Sequence, residues 1–182
     1  MRQNDPLYSV YLNILHEELQ PAFGCTEPAA LAYAAALASE TLGRAPERLL
    51  VTCSGNIIKN VKSVIVPNAG GRKGLDVAAA AGVIAGHAER KLELLSGLTE
   101  GDRQRMDDYL KTASITVALS DSPNPFDIRI DAASGSDTAR VRITGGHTNV
   151  VLIEKNGEVL LEKSGAQSQA GNSDRTALTV RQ

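Results

Sequence analysis

The chain has 182 residues, of which 42% are hydrophobic and only 3% aromatic, and its formal net charge is −2. That length accommodates one full core or two small ones. The charge leaves no basic footprint for nucleic acid, and no apolar run approaches the ~20 residues that span a bilayer.

With no Trp and few other aromatics, packing falls to Ala, Val, Leu and Ile, which suits close helix contacts and β-branched strands. Met1 to Pro6 lacks the apolar stretch of a signal peptide, so the cytoplasm is the expected compartment. Two cysteines make no disulfide framework there. Cys25, Cys53, His16, His87 and His147 are too widely spaced for any of the usual zinc patterns.

Residues 5–20 read as a helix with an apolar stripe of Leu7, Val10, Tyr11, Ile14, Leu15 and Leu19, opened by Asp5-Pro6 and ended by Pro21. A second helix is expected from Thr26 to Leu42, stopped by Gly43 and apolar on nearly every face, hence buried. Leu49 to Cys53 reads as a strand and Val61 to Val66 as a second extended segment. A Gly-rich loop, 68–74, leads into a small-residue helix over 76–95, and a more polar helix over 99–112 starts at Thr99 as its cap.

From Ser114 the pattern becomes that of strands: 115–119, 126–132, 139–144, 149–154 and 158–162, the last two joined by the hairpin signal Asn156-Gly157. The fold class is therefore α+β. A helix-rich part over 1–112 is followed by an antiparallel meander over 113–163. A Ser/Gly/Gln/Asn-rich linker then leads to the start of a further element, so 164–182 reads as the beginning of a missing C-terminal half.

Four segments could carry chemistry. Gly24-Cys25-Thr26-Glu27-Pro28 puts a thiol at the mouth of a buried helix, where unpaired N–H groups and the helix dipole favour thiolate. Glu27 is a carboxylate partner in the first turn. A small apolar residue beside a cap explains the cysteine equally well. Ser54 to Asn60 follows a strand with two amides and an ammonium, Asn56, Asn60 and Lys59, able to hold a carboxylate or an amino group; a solvated loop is the plainer alternative. Asn68 opens Gly70-Gly71-Arg72-Lys73-Gly74, which is neither GxxxxGK[ST] nor GxGxxG and at most forms a nest for a carboxylate. Gly145-Gly146-His147-Thr148-Asn149 holds a histidine in a turn, where it is ordinarily just solvated. Cys53, inside an apolar strand, belongs to the core, and His16 and His87 read as surface residues.

Taken together, Gly24-Cys25-Thr26-Glu27-Pro28-Ala29-Ala30, Ser54 to Asn60 with Val66-Pro67-Asn68-Ala69-Gly70, and His147-Thr148-Asn149-Val150-Val151 resemble the serine dehydratase α-chain-like family, in its L-cysteine desulfidase branch. The resemblance implies a lyase that β-eliminates sulfide from L-cysteine or water from L-serine to give pyruvate and ammonia. It implies a [4Fe–4S] cluster held by three cysteines, with Cys25 as one ligand and an open iron acting as Lewis acid. Glu27, Asn56, Lys59, Asn60, Asn68, His147, Thr148 and Asn149 are the substrate-binding residues it suggests. The remaining cluster cysteines lie in the C-terminal half, so the 182 residues alone are expected to be cluster-free and inactive. The base and the choice between cysteine and serine stay open.

A non-catalytic small-molecule-binding or regulatory module on the same scaffold is the alternative, and a generic α+β interaction domain is a third. The surface left by a missing half would favour self-association.

Overall fold

A computed structural model of the protein describes residues 5–164 and 175–178. The linker and much of the final segment expected over 164–182 therefore lie outside the described residues. Among the described residues five α-helices, α1 (Tyr8–Glu18), α2 (Thr26–Leu42), α3 (Gly55–Lys62), α4 (Leu75–Ala85) and α5 (Glu100–Thr112), accompany a sheet of six strands. The strands are β1 (Arg48–Cys53), β2 (Ser114–Leu119), β3 (Asp127–Ser134), β4 (Asp137–Thr144), β5 (Val150–Lys155) and β6 (Glu158–Glu162). The class is α+β.

The sheet runs β2-β1-β3-β4-β5-β6. β1 pairs parallel with β2, Val51 opposite Val117, and antiparallel with β3, Val51 opposite Ile130. Every other pair is antiparallel. The strand of the helix-rich part is thus laid inside the sheet built by the later strands. A parallel neighbour needs a long crossover, and α3, α4, a 3₁₀ segment (Ala88–Gly97) and α5 supply it.

Alternation decides which face is dry. Leu49, Val51 and Cys53 of β1, Ile128 and Ile130 of β3, and Val141 and Ile143 of β4 are buried beneath α2 and α4. Their intervening neighbours, Arg129, Asp131, Arg140 and Arg142, form an ion-paired opposite face with Glu154 and Asp127. A groove of about 480 Å³ on that face, lined by Leu50, Thr116 and Arg140 among others, contains none of the motif residues.

α2 is buried along its Ala-rich length, as its all-round apolar pattern predicts. Gly43 ends it with φ 89°, a left-handed conformation that costs glycine little. Thr99 caps α5 in a full capping box with Asp102. Asn156 and Gly157, at φ 51° and 84°, make the β5–β6 hairpin turn.

Two expectations are corrected. Residues 61–66 are not a strand: Ser54 to Asn60 does not form a loop but opens α3, which Val61 and Lys62 complete. Ile57 and Val61, four apart, are both buried, and that helical face outweighs the β-branched composition. Only Ile65 keeps an extended contact, an isolated bridge to Lys73. The helix over 76–95 is also broken. α4 stops at Ala85, Gly86 and His87 take positive φ, and the chain restarts as 3₁₀ turns kinked at Lys91.

Candidate functional site

Cys25 caps the N-terminus of α2, the most buried helix, where its extended backbone turns the chain into the first helical residue. Gly24 before it has φ 79°, and a Cβ there would lie 2.5 Å from Pro67 Cγ. The Gly24-Cys25 and Pro67-Asn68 segments are therefore clamped together. Glu27, in the first turn of α2, is the hub. Its Oε2 accepts from Cys25 Sγ at 3.3 Å and from Thr26 Oγ1 at 3.2 Å, and its Oε1 accepts from Asn60 Nδ2 at 3.1 Å. Asn60 reaches it because α3 places Asn56, Lys59 and Asn60 on its exposed side, with Ile57 and Val61 inward.

His147 lies in the β4–β5 loop, which the Thr148–Gln20 hydrogen bond ties to the segment entering Cys25, and the charge of Glu27 acts on it. Its ring packs against Phe126 with centroids 4.5 Å apart and planes tilted by 59°. Burial pushes its pKa below the usual value, and the nearby negative charge of Glu27 offsets part of that. The imidazole is therefore held toward its neutral form. Glu27 titrates below the usual carboxylate range: burial alone would raise it, but hydrogen bonds from its own backbone N–H, Cys25, Thr26 and Asn60 outweigh that.

Cys25 behaves differently from the expectation for a helix mouth. Burial, then the hydrogen bond and charge of Glu27, push its pKa up, overriding the backbone N–H groups that favour thiolate. Burial is the larger cause, and the carboxylate beside the thiol adds to it. Cys53 is fully buried in β1, and burial with the Asp127 charge pushes it up to about 12. Among the described residues no three His, Cys, Asp or Glu side chains come together as a metal site. As a donor set for a four-iron cluster these residues do not fit, because Cys25 is the single accessible thiol.

The other motif residues divide. Asn68, at φ 56°, donates to the carbonyls of Leu95 (3.1 Å) and Ser96 (3.3 Å) while its own carbonyl accepts from Arg103 Nε at 2.8 Å, so its amide pins the loop to the 3₁₀ segment. Asn149 Nδ2 donates to Thr144 O at 2.8 Å and closes the β4–β5 loop. Thr148 Oγ1 donates to Gln20 Oε1 at 3.2 Å, tying that loop to the segment entering Cys25. Asn56 and Lys59 are exposed beside Asn60. Gln20 and Phe126 were missed from sequence. Phe126 is one of only two phenylalanines, and its scarcity was the available signal.

No protein-family model matches the chain, and no solved structure matches it. Its relatives are named UPF0597 proteins. One from Desulfitobacterium hafniense is 44% identical over 181 residues, covering 99% of this chain and 42% of its own length. Another from Treponema denticola is 44% identical over 173 residues, 94% of this chain and 40% of its own. A third, from Lachnoclostridium phytofermentans, is 38% identical over 174 residues, 96% of this chain and 42% of its own. The chain is thus similar along nearly all of its length to UPF0597 proteins, and it spans about two fifths of theirs.

Proposed function

We propose that the chain is the N-terminal portion of a cytoplasmic iron–sulfur-dependent lyase that removes the β-substituent of L-cysteine or L-serine. The observation that carries this reading is the convergence of motif segments far apart in sequence: Gly24 to Glu27, Asn60 and Pro67 meet around Glu27, and the Thr148–Gln20 bond brings the His147 loop to the segment that enters them.

β-Elimination needs a held ammonium, a held carboxylate and an acceptor for the Cα proton. In this reading ionised Glu27 receives the substrate ammonium, and Asn60 fixes the carboxylate of Glu27. Exposed Lys59 and Asn56 face the substrate carboxylate, and neutral His147 takes the Cα proton. Loss of that proton with cleavage of the Cβ–S or Cβ–O bond gives aminoacrylate. Its imine tautomer takes up water, yielding pyruvate and ammonia, with sulfide as the other product from cysteine. A cluster, which the motif resemblance implies, would draw its further ligands from polypeptide beyond this chain.

A second reading, a non-catalytic small-molecule-binding or regulatory module, is favoured by the donor set around Cys25. One experiment separates the two. The chain is joined to the remaining polypeptide of the Desulfitobacterium relative, reconstituted with iron and sulfide, and assayed anaerobically with each amino acid. Pyruvate formation that drops about 100-fold or more in His147→Asn or Glu27→Gln supports the lyase. Amino-acid binding without pyruvate supports the module.

A further inference from the structure

α1 turns Ile14 inward with Val10 and Tyr11 half-buried beside it, and leaves a second group of apolar residues uncovered. Of its hydrophobic residues only Ile14 is buried, and none joins the hydrophobic core cluster. Leu12, Leu15 and Leu19, spaced i, i+3 and i+7, are 38%, 50% and 68% exposed, and Phe23 beyond Pro21 is 39% exposed. Leu12 and Leu15 share one side of α1, and Leu19, its extended C-cap, and Phe23 continue the apolar run along the chain that follows. A contiguous exposed apolar run marks a surface that something covers.

Its position links it to the site described above. The stripe runs through Leu19 and Phe23 directly to Gly24 and Cys25. Gln20, within it, accepts the hydrogen bond of Thr148, the neighbour of His147. Phe23 is fixed in place by its backbone N–H, which donates to Leu92 O at 3.1 Å. Whatever covers this face ends beside Glu27 and His147.

We infer that the face formed by Leu12, Leu15, Leu19 and Phe23 is the seat of an apolar surface on the further polypeptide that the longer relatives carry. In those relatives the stretch similar to this chain is accompanied by more than half of their length again. A second copy is a poorer occupant. Four partly exposed side chains offer on the order of a few hundred Å² per copy, short of the ~1,200–2,000 Å² of total surface that stable pairs bury. The inference rests on the reading of the chain as part of a longer enzyme, and it makes the Cys25–Glu27–His147 group a site completed at the junction of two segments.

Hydrogen exchange followed by mass spectrometry tests this on two proteins, the 182-residue chain and the full-length Desulfitobacterium relative. The stretch corresponding to residues 8–23 is expected to exchange about tenfold or more slowly in the full-length relative, with the stretch matching α2 equally protected in both. Equal exchange of residues 8–23 in the two proteins overturns the inference. So does sedimentation of the 182-residue chain as a dimer with that stretch already protected. As a second measurement, Leu15→Glu with Leu19→Glu leaves the melting midpoint of the 182-residue chain unchanged; a lowered midpoint means the face serves this chain's own core and also overturns it. Turnover without protection removes the docking surface and leaves the lyase, whereas protection without turnover does the reverse.

Discussion

Gly82 of α4 lies directly on the backbone of Ala32 of α2, so close that a Cβ at position 82 would stand 2.0 Å from the Ala32 carbonyl oxygen. No side chain buffers that contact, and the obstacle is backbone that cannot rotate away. The two helices that cover the sheet therefore meet at the distance glycine sets. Gly82→Ala should force them apart and destabilise the fold by about 3 kcal/mol. Chemical denaturation checks this, and a variant as stable as the parent would mean that the helices part freely.

Thr99 and Asp102 close each other's unpaired groups at the start of α5: Asp102 N–H donates to Thr99 Oγ1 at 3.2 Å, and Thr99 N–H donates to Asp102 Oδ2 at 2.8 Å. The Thr99 backbone N–H, then Arg105 and the Thr99 hydroxyl, lower the Asp102 pKa to about 2. Thr99→Ala is expected to cost about 1 kcal/mol. The folded pKa is depressed, so the contribution of Asp102 is present above the ordinary value of 3.8 and lost as pH falls through about 2. Denaturation of Asp102→Ala against pH should lack that acid limb.

The two thiols should behave as different chemical species. Cys53 is fully buried and Cys25 half-buried, so alkylation of the native chain is expected to modify Cys25 alone, and both after denaturant is added. The Cys25 pKa is raised by burial first and Glu27 second. Glu27→Gln should therefore move the pH midpoint of Cys25 alkylation downward, toward its ordinary 9.0. An unchanged midpoint would show that the carboxylate does not act on the thiol.

His147 makes stability depend on pH in a definite sense. Its folded pKa is lowered by burial, so the unfolded chain binds the proton more readily. Stability is complete above the ordinary value of 6.5 and declines as pH falls through the folded value. Melting curves between about pH 7.5 and about pH 5 should show this decline in the parent and a smaller one in His147→Asn.

Much of the architecture was legible wherever one local signal dominated. The Ala-rich run 29–38 specified a buried helix, Asn156-Gly157 a hairpin, and Thr99 a cap. α3 was not legible, because Gly55 and Asn56 are poor helix formers and Val61, Val64, Ile65 and Val66 resemble a strand; the deciding burial of Ile57 and Val61 is tertiary. The site followed the same division. Cys25 and Glu27 are neighbours in sequence, so their meeting could be foreseen. The bond from Asn60 to Glu27 and the approach of His147 join positions far apart along the chain and depend on the sheet. Asn68 and Asn149, which look like ligand-binding amides in sequence, spend their N–H groups on nearby carbonyls.

The interior place of β1 sets an order of events during synthesis. Arg48–Cys53 leaves the ribosome early, yet its hydrogen-bonding partners, Ser114–Leu119 and Asp127–Ser134, begin to emerge only after sixty further residues. Until then Leu49 and Val51 have no strand beside them, and their shelter is the nascent α2. Closing those two distant pairings costs loop-closure entropy that the local β5–β6 hairpin does not.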